Sequence, residues 1–175
     1  MLQITQKLID HVKQYEGLRL EAYDDLQPNV KITSQNQVKG TLTIGYGHTK
    51  NVKIGQKITV QEAEQLLMND LTPFANGVLK EVKVPITQNM FEALVSFTYN
   101  VGLGALRTST LLKNLNQENY KEASNQFSKW ISSKGNILQG LVKRREAEKA
   151  LFLKDMYILN YFTPDGSTIE KKKSL

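Results

Sequence analysis

Two carboxyl side chains, Glu16 and Asp25, flank a short stretch of alternating residues, and Thr43 follows in the string LTIGYGH. Glycoside hydrolysis calls for a carboxyl pair held in two states at one pH. One member is protonated and donates to the leaving oxygen; the other is ionised and works on the sugar or on the attacking water. A threonine hydroxyl both donates and accepts, so it can orient a water against a carboxylate. Each residue also has an ordinary reading: Glu16 as a helix-end acid, Asp24–Asp25 as a turn signal, Thr43 as a β-branched strand residue. Spacing by itself does not choose between the two.

The surrounding residues indicate how the pair would be positioned. Ile4, Leu8, Val12 and Tyr15 form a helical stripe, and Gly17 stands where glycine usually follows a helix end. Glu16 is therefore expected at a helix C-terminus, where the helix dipole and partial burial both disfavour the ionised carboxylate. Leu18, Leu20 and Ala22 alternate with Arg19, Glu21 and Tyr23, the pattern of a half-buried strand. Asp25 is expected just beyond that strand, in water. On this reading Glu16 is the better proton donor and Asp25 the better anion.

Taken whole, the string is more specific. Glu16, Gly17, Arg19, Leu20, Tyr23 and Asp25 fit E-G-x-R-L-x-x-Y-x-D, and Thr43, Gly45, Gly47 and His48 fit T-x-G-x-G-H. With FEALVSFTYNVGLGALRTSTLLKNLN and KWISSKGNILQGLVKRREAEKALF, the chain resembles the phage-type lysozymes, glycoside hydrolase family 24, and within them the lambdoid-type endolysins, over roughly residues 3–155. The resemblance implies a muramidase, an endolysin cutting the β-1,4 bond between N-acetylmuramic acid and N-acetylglucosamine, with inversion. It implies Glu16 as general acid, Asp25 as the carboxylate on the opposite face of the sugar, and Thr43 as a third polar group near the water. It implies no metal or organic cofactor, and a peptidoglycan glycan strand as partner. In the family the GLxxRR segment packs toward the cleft; here that is Gly140, Leu141, Arg144 and Arg145. One of these arginines is expected either to approach Glu16 or to pair with Glu146 or Glu148. The chain departs from the compact motif at residues 26–42, read as an extended hairpin or loop inserted beside the site.

His48 and Asp70 are expected to pair and tie the sheet to the helix that follows, in preference to His48 acting as a base. Trp130 is expected to be a core anchor more than a sugar platform. The Thr59–Glu62 capping box opens a helix running to about residue 81, in which Pro73 predicts a kink or break. The expected architecture is α+β and lysozyme-like, a single domain over 1–160. A small antiparallel sheet lobe (about 14–58) is joined by a connector helix (about 59–82) to a helical lobe (about 83–160) packed with the first helix. A basic tail occupies 161–175.

Composition excludes several classes. The 175 residues contain no Cys, so neither a disulfide nor a thiolate metal site is available. Two histidines, His11 and His48, are too few and too scattered for zinc. The net charge of +6 favours a polyanion, yet no stretch interleaves aromatics with Lys/Arg as a single-strand nucleic-acid binder would. Specific nucleic-acid binding is not expected, and a monomer is. The N-terminus reads as neither a signal peptide nor a membrane anchor. Synthesis in the host cytoplasm and passage to periplasmic peptidoglycan through a holin lesion would follow, with envelope contact through the tail. Two rivals are a non-catalytic wall- or polyanion-binding module on the same scaffold and a lytic transglycosylase. The joint presence of Glu16, Asp25 and Thr43 argues against both.

Overall fold

The computed structural model describes residues 1–161. In chain order its elements are α1 (Gln6–Lys13), β1 (Arg19–Asp24), a 3-10 turn (Gln35–Gln37), β2 (Leu42–Gly45), α2 (Val60–Glu81), α3 (Gln88–Val101), α4 (Leu103–Thr108), α5 (Thr110–Asn116), α6 (Tyr120–Gln126), a 3-10 turn (Phe127–Lys129), β3 (Ser132–Ser133), β4 (Asn136–Ile137), α7 (Gln139–Leu153) and a closing 3-10 segment (Met156–Tyr161). The fold is α+β and lysozyme-like. The tail read as a basic envelope contact lies, beyond Tyr161, outside the described residues. No described helix is long and apolar enough to cross a membrane.

The chain divides into two compact units, Ile4–Pro73 and Phe74 onward, the latter including Met1–Gln3. In the first unit, Thr5 caps α1 by accepting the Leu8 N–H at 3.3 Å, and Leu8, Ile9 and Val12 are buried. The helix ends with Gln14 as its C-cap, and Gly17 is not among the glycines with positive φ. Gly17 thus follows the last helical turn without adopting a left-handed conformation. Strands β1 and β2 pair antiparallel, with Tyr23 opposite Thr43 and Asp24 opposite Leu42. Positive φ at Gly45 (66°) and Gly47 (89°) turns the chain out of β2, and His48 pairs back onto Ile44.

The expected half-burial of β1 is not seen. Leu18 and Leu20 are 38% and 40% exposed, and the buried residue of the strand is Asp24. The sheet has two strands only, and the 28–32 segment stands away from β1 over an open depression of about 560 Å³. The leucine face borders that open depression, so alternation did not translate into burial.

Helix α2 opens on a complete capping box. The Thr59 N–H donates to Glu62 Oε2 at 2.7 Å, and the Glu62 N–H donates to Thr59 Oγ1 at 3.1 Å. Of the kink or break predicted at Pro73, the break does not occur: one helix runs through the proline. Its apolar face continues in register on both sides of the proline, with Leu67 and Leu71 before it and Ala75 and Val78 after it, all buried. Burial of that face outweighs one lost backbone bond.

In the second unit α3 is capped by Thr87, whose hydroxyl accepts the Met90 N–H at 3.1 Å, and Asn89 to Thr98 are buried without interruption. A helix buried all round is a core helix. It packs on α7, while α5 packs on α6. Phe97 meets both Phe127 and Trp130 edge-on, each at 5.4 Å between ring centroids, and Phe127 meets Phe152 at 5.6 Å. Helix α3 ends at Gly102 (φ 94°), and α4 begins at once. Ser109 caps α5.

Candidate functional site

Glu16 lies just past α1. Its N–H still reaches the Val12 carbonyl at 3.2 Å, so the residue ends the last helical turn, and it is half-buried. Asp25 follows β1 directly and is exposed. Thr43 sits in β2 and is only 5% exposed.

Thr41 links Asp25 to Thr43. Its N–H donates to Asp25 Oδ1 at 2.7 Å, and its carbonyl accepts both the Asp25 N–H at 3.1 Å and the Thr43 hydroxyl at 3.0 Å. One residue of the hairpin, through the N–H on one side of its Cα and the carbonyl on the other, therefore holds both the Asp25 carboxylate and the Thr43 hydroxyl. With its proton given to Thr41, the Thr43 oxygen is left as an acceptor.

A residue that the sequence offered only as half of a turn signal organises this hairpin. Asp24 is fully buried, 0% exposed. Its Oδ1 accepts the N–H groups of Leu26 and Gly40, both at 3.0 Å. Its Oδ2 accepts the Gln27 side-chain amide at 2.9 Å and the Lys39 N–H at 2.6 Å. Burial alone would raise the Asp24 carboxyl; the Gln27 amide and the Lys39, Gly40 and Leu26 N–H groups overcome that and hold it lowered to about 2. The inserted stretch, read as an extended hairpin or loop, is irregular apart from its 3-10 turn. Gln37 ties it internally, its Oε1 accepting the Thr33 and Ser34 N–H groups at 2.8 and 3.1 Å. Arg19 Nη2 reaches the Pro28 carbonyl at 2.5 Å, with its guanidinium 4.5 Å from the Tyr23 ring centroid. At Gly40 a Cβ would overlap Asp25 Oδ1 and come within 2.7 Å of Asp24 Oδ1. Glycine there is a requirement of close approach.

His48 Nδ1 lies 2.9 Å from both oxygens of Asp70, and its Nε2 is 2.8 Å from the Lys50 carbonyl. Both ring nitrogens face acceptors, so neither can take a proton from a substrate without giving up its partner. Lys13 pairs with Glu64, and the Glu64 hydrogen bond holds its ammonium above the usual lysine range.

Arg144 and Arg145 converge on Glu148. Arg144 Nε donates to Glu148 Oε1 at 3.1 Å, and Arg145 Nη1 donates to Glu148 Oε2. Ser96 Oγ donates to Glu148 Oε1 at 2.8 Å. Arg145 also donates from Nε to the Trp130 carbonyl at 3.0 Å and from Nη2 to the Asn100 side chain. All three charged groups are buried. Among the described residues no cluster has the make-up of a metal site.

Comparison with known proteins extends the picture. The phage lysozyme family profile matches residues 13–148. The endolysin of Bacillus phage B103 is 48% identical over 153 residues, 87% of this chain and 54% of that protein. The chain thus spans about half the length of the Bacillus phage relatives it matches. The endolysin of Acyrthosiphon pisum secondary endosymbiont phage 1 is 43% identical, over 86% of this chain and 98% of its own. Among solved structures, the muramidase domain of SpmX from Asticaccaulis excentricus superposes with a TM-score of 0.76 at 34% identity, covering 87% of this chain and 99% of that one.

Proposed function

Because the chain belongs to the phage lysozyme family, we propose that it is a muramidase of the endolysin type. It hydrolyses the β-1,4 bond between N-acetylmuramic acid and N-acetylglucosamine in peptidoglycan. Glu16 donates its proton to the leaving glycosidic oxygen. Asp25 and Thr43 hold the attacking water: one O–H donates a hydrogen bond to the Thr43 oxygen and stays on the new anomeric hydroxyl, while the other proton passes to the Asp25 carboxylate as the water oxygen bonds to the anomeric carbon and the bond to the leaving oxygen breaks. Attack from the face opposite the departing oxygen inverts the configuration. A holin lesion that brings the enzyme to the wall belongs to the same reading.

The observation that carries the reading is the backbone of one residue, Thr41, whose N–H binds the Asp25 carboxylate and whose carbonyl accepts the Thr43 hydroxyl. A strand threonine needs no carboxylate aligned with it; a group that orients water does.

The test is hydrolysis of purified peptidoglycan by wild type, Glu16→Gln and Asp25→Asn. Loss of each carboxyl is expected to lower kcat by about 10² or more, as general acid–base groups do. Newly formed reducing ends should appear first as the inverted anomer in NMR. Anhydro-muramic ends would make the chain a transglycosylase. Wall binding without new ends would make it a binding module. Full activity of Glu16→Gln would end the proposal.

A further inference from the structure

Asp24 has no place in the chemistry just described. It is fully buried, so neither a glycan nor the attacking water can reach its carboxylate. It nonetheless receives four separate donor groups, drawn from two ends of one inserted segment. Leu26 and Gln27 lie immediately after it, and Lys39 and Gly40 lie at the far end. These bonds close the 26–40 stretch into a loop whose ends meet beneath Asp25. The next residue along, Thr41, is the one whose N–H holds the Asp25 carboxylate.

We propose that Asp24 is the positioning residue for Asp25: its carboxylate latches the two ends of the 26–40 loop and so fixes the backbone of Thr41, whose N–H aims Asp25 and whose carbonyl holds Thr43. The inference rests on the reading of Asp25 as the carboxylate that handles water. Asp24 acts on the reaction only through that neighbour. Gly40 belongs to the same latch, since its missing side chain is what lets both carboxylates approach the backbone there. Once the latch is open, the Thr41 N–H is no longer held against Asp25, and the carboxylate loses its fixed direction while staying chemically intact.

A double-mutant cycle tests this on the full chain with soluble glycan fragments of peptidoglycan as substrate. Asp24→Asn replaces one acceptor oxygen by an NH₂ group that faces donors. It is expected to lower kcat about tenfold or more with KM changed by less than about twofold, because a small misplacement of a reacting group acts on the transition state more than on binding. In an Asp25→Asn background the same change should cost much less, because there is no longer a carboxylate to aim and only the Thr43 hydroxyl loses its direction. Circular dichroism and thermal unfolding establish that each variant is folded at the assay temperature. Should Asp24→Asn not fold, Gln27→Ala, which removes a single donor from the latch, enters the cycle in its place, with a smaller kcat loss and the same dependence on Asp25. An equal loss in both backgrounds, or an unchanged kcat, overturns the inference while leaving the role of Asp25 intact. Full activity of Asp25→Asn alone would overturn that role and the latch with it.

Discussion

Asp24 and Asp25 are neighbours in sequence and opposites in environment. One is sealed under the backbone with its oxygens saturated by donors; the other stands in water with one backbone N–H on it. Their difference has a sign that can be measured. The Asp24 carboxyl is depressed in the folded state to about 2 from an ordinary 3.8. A depressed carboxyl contributes stability that is fully present above its unfolded value and is lost as pH falls through the folded one. Wild type should therefore exceed Asp24→Asn in Tm by its widest margin near about pH 7, and the margin should shrink as pH drops from about 4 to about 2. A margin independent of pH would mean that the hydrogen-bond geometry, and not the ionised oxygen, holds the loop. From the sequence the local half of this arrangement was legible, since an Asp followed by a turn bonds the N–H two residues on. The other half was not, because Lys39 and Gly40 reach Asp24 across the whole insertion and nothing local announces such a contact. Glu16, Asp25 and Thr43 were singled out by the family pattern that their string resembles, which is written in consecutive stretches of sequence. Asp24 acquires its part only when the chain folds.

At the scale of elements, local capping chemistry proved the most readable signal. Thr59 with Glu62, Thr87 and Ser109 each begin a helix where a side-chain oxygen was available to the first free N–H groups. What read less well was burial, which depends on layers far along the chain. Leu18 and Leu20 alternate as a buried face should, yet stay 38% and 40% exposed, and Pro73, read as a kink or break, does not break α2, whose buried stripe continues past it. The junction of α3 with α7 was only partly visible. Arg144 and Arg145 had Glu146 and Glu148 as candidate partners, and the packing of α7 on α3 turns Glu148 inward between the two guanidinium groups. That ion triad yields a stability prediction. Glu148→Gln keeps the shape but leaves two buried cations without their counter-charge. Breaking a buried pair in this way costs about 3–5 kcal/mol. The urea midpoint should fall accordingly while the slope with denaturant is unchanged. A loss below about 1 kcal/mol would mean that the Ser96 and Trp130 carbonyls and the Asn100 side chain are enough to hold both arginines.

Over the whole molecule the dominant feature is charge. The net +6 includes Lys171–Lys173, beyond the described residues, and lysines spread along the rest of the chain. If the substrate is an intact wall, a polyanion, this charge acts on encounter and retention and leaves bond cleavage alone. The two roles separate with ionic strength. The screening length falls from about 10 Å at 0.1 M salt to about 3 Å at 1 M, so a diffuse attraction fades over that range. Contacts at the site itself, made at hydrogen-bond distance, are screened far less. Adsorption to purified walls should therefore weaken steeply as salt rises from about 0.05 to about 0.5 M, with kcat/KM on short uncharged glycan fragments changing by less than about twofold. Removing residues 163–175 should flatten the first dependence and leave the second alone if the basic tail supplies much of the attraction. Parallel decline of adsorption and fragment hydrolysis would instead locate the salt-sensitive charge at the reacting centre, where the exposed Asp25 carboxylate and the backbone donor that holds it would be the first groups to examine.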